Sequence, residues 1–272
     1  MATTDSNGIR IDYETKGAGT PLLMLAGFRR SRIIWGAPFL DALAERFTLV
    51  LPDNRGTGGS DKPQEDYSIE AFADDAAAVL DAAGFDRAFV FGVSMGGMIV
   101  QRFAQRHGER TLGVAIGCSQ AGGDSVVPPE KEIWELLKLL PDKELDARAV
   151  ARRQEAAYYT EPFRQANRDI IDEQFRLVNA NPTPDFAVRG HLEAIESFDG
   201  SNDLSAIKAP TLVITGDSDR LIVPENSRHI AAGIPGSQLC ILPEAAHFFW
   251  VEKPAEAAEE LIRFFSAIGS RD

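Results

Sequence analysis

The chain has 272 residues, enough to bury a large core in one domain, or in one domain carrying an insertion. Apolar residues make up 44% and charged residues 25%, the balance of a soluble globular protein. Twenty-eight basic against 41 acidic residues leave a net charge of −13, which speaks against nucleic acid or an anionic membrane as partner, since both require basic patches.

The first ten residues are polar and lack the apolar stretch of a secretory leader, so a cytoplasmic location is expected. No apolar run approaches membrane-spanning length. Ile9-Arg10-Ile11-Asp12-Tyr13 alternates with period two and predicts an antiparallel edge strand. Pro21 to Leu25 predicts a short buried strand, Trp35 to Arg46 a helix, and Phe47 to Leu51 a second buried strand. Tyr67 to Ala83 carries apolar residues at Ile69, Phe72, Ala76, Val79 and Leu80, a helical spacing that Gly84 ends. A strand from Ala88 to Val93, a helix from Met98 to His107 and a strand from Thr111 to Gly117 follow. Uninterrupted apolar strands separated by helices imply a parallel sheet covered on both faces. Cys118 and Cys240 both follow apolar runs and are expected as buried free thiols.

From Ser119 to Ala206 no strand pattern appears. Helix formers cluster at Glu130 to Leu140, Asp146 to Tyr158, Phe163 to Val178 and Phe186 to Phe198, punctuated by prolines such as Pro128, Pro141 and Pro162. The expected organisation is a core of residues 1–118 and 207–272 with a helical lid at 119–206. Strand patterns resume at Pro210 to Thr215 and Gln238 to Leu242, and a helix from Pro254 to Ala267 closes the chain.

Between the strand ending at Val93 and the helix beginning near Met98 lies Gly92-Val93-Ser94-Met95-Gly96. A Gly-x-Ser-x-Gly turn in that setting forms a nucleophile elbow, which lifts the serine hydroxyl out at the carboxyl edge of the sheet. Ser94 needs a base. Of four histidines, His107 ends a helix, His191 lies in a lid helix and His229 follows Pro224 in another helix. His247 sits just past the last predicted strand, at the same sheet edge as Ser94. The acid that orients it is sought between them. Gly216-Asp217-Ser218-Asp219, after the strand ending at Thr215, offers Asp217 or Asp219, with Asp124 in reserve.

At this point the chain resembles the α/β-hydrolase superfamily, in its small lid-bearing branch of enol-lactonases, esterases and cofactor-free haloperoxidases. Four blocks spread over nearly the whole chain carry the resemblance. They are Asp53-Asn54-Arg55-Gly56-Thr57-Gly58-Gly59-Ser60, the elbow Gly92 to Gly97, Gly216-Asp217-Ser218-Asp219 with Pro224, and His247 with Glu252 and Pro254. It implies an eight-stranded, mostly parallel sheet with helices on both faces and a helical lid after the sixth strand. It assigns the acid to Asp219, beside Ser94 and His247, and implies an oxyanion hole from the Phe28 and Met95 backbone N–H groups. The chain departs from the family in having Ala26-Gly27 where His-Gly is common, and Ala246 where Gly is usual.

Arg29 and Arg30 follow the oxyanion loop and are candidates for holding a substrate carboxylate. Among the lid aromatics Trp134, Tyr158, Phe163, Phe175 and Phe198, most are expected to pack the lid. Trp134 and Tyr158 are candidates to face a small-molecule substrate. The resemblance implies a cofactor-independent serine hydrolase of small esters or lactones, with no metal. C–C bond hydrolysis of ring-cleavage products and peracid formation use the same triad, and a non-catalytic binding protein would keep the same fold. Ser94 excludes the aspartate-nucleophile chemistry of dehalogenases.

Overall fold

The computed structural model describes residues 2–65, 67–137 and 146–269. Its chain order begins with β1 (Ala2–Ser6), β2 (Ile9–Lys16), β3 (Thr20–Leu25), α1 (Ala37–Ala44), β4 (Phe47–Pro52) and α2 (Ile69–Ala82). Next come β5 (Ala88–Val93), α3 (Met95–Arg106) and β6 (Thr111–Gly117). Helices then follow one another: α4 (Lys131–Leu137), α5 (Ala147–Tyr158), α6 (Glu161–Ala166), α7 (Arg168–Ala180) and α8 (Asp185–Ser197). The chain returns to β7 (Thr211–Gly216), α9 (Pro224–Gly233), β8 (Gln238–Leu242), α10 (Phe249–Glu252) and α11 (Pro254–Gly269).

The eight strands form one sheet in the order β1-β2-β4-β3-β5-β6-β7-β8. Only the β1–β2 and β2–β4 pairings are antiparallel. Successive side chains of a strand point to opposite faces, and the core divides by that rule. Leu23 and Leu25 of β3, with Val90, Val114 and Val213, pack beneath α2, α3 and α9. Leu22 and Met24 of the same strand, with Phe89, Phe91, Leu212 and Ile214, pack beneath α1 and α11. Both faces are therefore apolar, which is why the strands read as unbroken apolar runs. No helix among the described residues is long and apolar enough to cross a membrane.

Four local expectations need correction. Ile9 to Tyr13 is not the edge, because β1 pairs outside it across an Asn7-Gly8 turn whose residues have φ 53° and 83°. That Asn-Gly pair is the sequence signal for the hairpin, and the mostly exposed side chains of β1 hid the strand itself. The predicted helix from Trp35 breaks at Gly36 (φ 72°), with a 3-10 turn, Arg32–Trp35, before α1. The predicted helix from Phe163 to Val178 is two helices that meet at Asn167. Cys240 is only half-buried, because β8 is the outer strand of the sheet. The end of the helix expected at Glu130 to Leu140, and its proline break at Pro141, lie outside the described residues.

Candidate active site

The turn between β5 and α3 places Ser94 at φ 58°, ψ −122°, a left-handed conformation that costs a residue with a Cβ about 1–3 kcal/mol. Two glycines make it possible. A Cβ on Gly92 would strike the Gly96 carbonyl, and one on Gly96 would strike the Leu25 carbonyl. The strained residue is held by its backbone. Its N–H donates to Gly117 O of β6 (2.9 Å), and its carbonyl accepts from Gly97 N–H (2.9 Å) and Ser119 Oγ (2.8 Å). α3 begins immediately at Met95, three residues earlier than the periodicity suggests, so its first N–H groups open beside the Ser94 side chain.

At the next strand ends stand an acid and a base. Asp219 follows β7 and His247 follows β8, and both are buried. Asp219 Oδ2 lies 2.8 Å from His247 Nδ1, while its Oδ1 accepts the N–H groups of Leu221 and Ile222 at 2.9 Å each. A carboxylate so placed keeps the imidazole proton on Nδ1 and leaves Nε2 as the basic nitrogen. Asp217 accepts from the Ser218 hydroxyl instead, and Asp124 is exposed. The structure thus brings Asp219, not its neighbour, to His247. Ser94 Oγ has no hydrogen bond to a described side chain.

Burial disfavours the imidazolium, but the Asp219 charge and its hydrogen bond outweigh this and hold the His247 pKa well above its ordinary value. A further group was not anticipated from the sequence. The buried Cys118 thiol stands beside the same imidazole, and burial pushes its own pKa up, so it stays a neutral thiol. Cys118, Asp219 and His247 offer donor atoms within 4.8 Å of one another. Binding a metal there would break the Asp219–His247 bond, so the set fits a hydrogen-bonded relay better than a metal centre. Cys118 directly follows β6, as Ser94 and Asp219 follow their strands, and that position was its signal.

The loop from Ala26 to Arg30 faces Ser94 from β3. A Cβ on Gly27 would come within 3.1 Å of the Ser94 Cβ. Among the described residues neither the Phe28 nor the Met95 N–H has a hydrogen-bond partner. Ala26 is buried, and its carbonyl accepts from Asn54 Nδ2 (3.0 Å). Asp53 accepts the Arg32 N–H (2.8 Å) and pairs with its guanidinium. The Asp53 to Ser60 turn is thereby the floor of the loop.

The loop is also held from α8. His191 is fully buried, and its Nε2 donates to Arg55 O (2.9 Å), which leaves Nδ1 to accept the Arg29 N–H at 3.4 Å. Thr183 Oγ1 donates to Arg29 O (3.3 Å). Burial lowers the His191 pKa to about 4, so the ring is neutral, as an acceptor Nδ1 requires. In the sequence His191 reads as a residue of a lid helix. Nothing in its neighbourhood marks it, since Arg29 and Arg55 are 162 and 136 residues away along the chain.

On the opposite wall Tyr158 stacks on Phe248 (4.8 Å between ring centres), and its ring lies 6.3 Å from that of His247. Its carbonyl accepts the Phe248 N–H (3.0 Å). Trp134 lies on α4, half exposed. Phe163 stacks on Tyr159, and Phe198 is buried under Arg102. Ala246 needs no glycine: its φ is not left-handed, and its N–H donates to Glu252, which also accepts the Thr160 N–H and hydroxyl at 2.8 Å each. Two grooves of about 310 and 430 Å³, at Tyr67–Arg189 and Thr160–Lys253, lie away from Ser94.

A serine at a left-handed strand-to-helix turn and an imidazole–carboxylate pair at neighbouring strand ends of this sheet are the features of an α/β hydrolase. The chain belongs to the alpha/beta hydrolase fold family, which it matches over residues 20–254. It is 31% identical to a putative carbamate hydrolase, RutD, of Azorhizobium caulinodans, over 94% of this chain and 95% of that one. It superposes on Est816, an N-acyl homoserine lactone degrading enzyme, with a TM-score of 0.80 and 29% identity, covering 97% of this chain and 100% of the other. The enol-lactonase from Burkholderia xenovorans LB400 shares the fold at a TM-score of 0.83 and 23% identity, over 97% of this chain and 100% of that enzyme.

Proposed function

We propose that this hydrolase cleaves small carboxylic esters or lactones with Ser94 as nucleophile, His247 as general base and Asp219 as the acid that orients it. The observation that carries this reading is the 2.8 Å Asp219–His247 bond beside a serine held in a left-handed elbow. Ser94 Oγ attacks the carbonyl carbon while His247 Nε2 takes the hydroxyl proton. The oxyanion settles on the Phe28 and Met95 N–H groups, each worth about 3 kcal/mol to the transition state by the measured size of such donors. His247 returns the proton to the leaving oxygen, and then activates water to release the acyl group from Ser94. Tyr158, Arg29 and Trp134 are proposed to line the substrate space, and the helices between β6 and β7 to act as its lid.

The lactone-degrading activity named for Est816 supports this class of substrate. A second reading, carbamate hydrolysis, is favoured by the RutD likeness. It uses the same attack, with His247 protonating a leaving nitrogen. A fluorophosphonate probe tests the common core, with one covalent adduct expected on Ser94. Ser94→Ala should lose that adduct and about 10⁴-fold or more in kcat. A folded wild-type protein that takes no label would overturn the hydrolytic triad. Esters, lactones and carbamates assayed side by side then rank the readings.

A further inference from the structure

We propose that the site takes an ester or lactone bearing a carboxylate, and that Arg30, assisted by Arg29, binds that carboxylate; the proposal rests on the hydrolase reading above. Most arginines around the sheet edge are matched. Arg32 pairs with Asp12 and Asp53, and Arg55 makes a two-point bond to Asp75. Arg29 and Arg30 differ. Among the described residues no carboxylate lies within ion-pair distance of either guanidinium. They instead face each other's charge. Desolvation first, and then the Arg30 charge, lowers the Arg29 pKa, with Tyr158 and Asp185 pulling the other way.

Two adjacent cations without a partner are unusual in a chain of net charge −13. Their placement gives them a use. The Arg30 guanidinium lies 5.9 Å over the rings of both Tyr158 and Phe248. These two rings stack on each other and flank His247, at 6.3 and 5.7 Å between ring centres. A cation held against aromatic rings spends no hydrogen-bond donor on them, so its N–H groups remain for a carboxylate. The cation is thus shelved one ring away from the base, with its donors unspent.

Arg29 is placed at a cost as well. Its φ of 55° is left-handed, and its N–H and carbonyl are pinned by His191 and Thr183. The residue that follows the Phe28 donor is therefore fixed in direction before substrate arrives. The rest of the chain repels anions, so a carboxylate needs a local positive field to enter. Arg29 and Arg30, which follow Phe28 directly in the chain, provide it.

The test compares p-nitrophenyl monoesters of succinate, glutarate and adipate with the same compounds methylated at the free carboxylate. Wild-type kcat/KM should favour the best-fitting carboxylate by about tenfold or more, the usual size of one charged hydrogen-bonded contact. The preference should shrink as salt is raised. Arg30→Gln should collapse the ratio and Arg29→Gln lower it in part. Independently of any variant, glutarate should inhibit the wild-type enzyme competitively where glutaramide does not. A wild-type ratio near one, or a ratio that both variants leave intact, overturns the carboxylate subsite. Fluorophosphonate labelling of Ser94 in the same samples separates the two failures. Label retained with no carboxylate preference removes only this subsite, whereas no label in wild type removes the hydrolase reading beneath it.

Discussion

The two sides of Ser94 are built on different principles. On the base side, Asp219 and His247 stand at the ends of adjacent strands, and Asp219 is oriented by N–H groups two and three residues away. On the Phe28 side, the segment from Ala26 to Arg32 is held by side chains from Asn54, Asp53, Thr183 and His191. The base side is local geometry repeated at strand ends. The Phe28 side is a long-range assembly that depends on the helices between β6 and β7 being in place. Changes to the first should stop chemistry in a folded protein, and changes to the second should cost stability and rate together.

The sharpest contrast comes from Asp219→Asn. It should lower kcat by about 10³–10⁴-fold, because the amide no longer holds the Nδ1–H tautomer. Steady-state ester hydrolysis measures this, and a loss under tenfold would falsify the orienting role. The wild-type acid limb of kcat/KM should lie above pH 6.5, since Asp219 raises the His247 pKa. In the variant the limb should move down.

His191→Ala tests the other side. It opens a cavity among Phe28, Tyr67 and Phe72 and removes the hydrogen bonds that His191 makes to the Arg55 carbonyl and the Arg29 N–H. Urea titration should show a loss of about 2–4 kcal/mol, and kcat should fall about tenfold, with His191→Gln intermediate. A variant as stable as wild type would break the comparison.

The same residue sets a pH dependence. His191 has a pKa of about 4 when folded, against an ordinary value of 6.5, so between these the unfolded chain holds the extra proton. Stability should rise with pH across that window and fall on acidification, by about 3 kcal/mol in all. Thermal melts from pH 4 to 7 should show this slope, and His191→Gln should flatten it.

The smallest effect is expected at Glu252→Gln. It weakens the tie from Ala246 to Thr160 behind the His247 loop, and kcat/KM should fall about threefold, consistent with one weakened hydrogen bond.

Much of this was legible before the fold. Apolar runs marked the strands from β3 to β8, and the elbow, Asp219 and His247 each followed one. The polar edge strand β1 was not legible by hydrophobicity, although Asn7-Gly8 announced its turn. Gly36 marked a helix break that periodicity overran. Cys118 occupied a strand end, but a thiol beside His247 depends on how β6, β7 and the loop after β8 converge. His191 and Thr183 carried no signal.

By itself the sequence determined the sheet, its two apolar faces, and a serine forced into a left-handed turn between Gly92 and Gly96. These follow from the alternation of neighbouring side chains and from sterics within a few residues. Only the tertiary structure decided that Cys118 comes beside the His247 ring and that an α8 histidine holds the loop from Ala26 to Arg30. Those contacts join residues far apart in the chain, and they exist only once packing has closed the intervening loops and excluded the water that would otherwise compete for each donor.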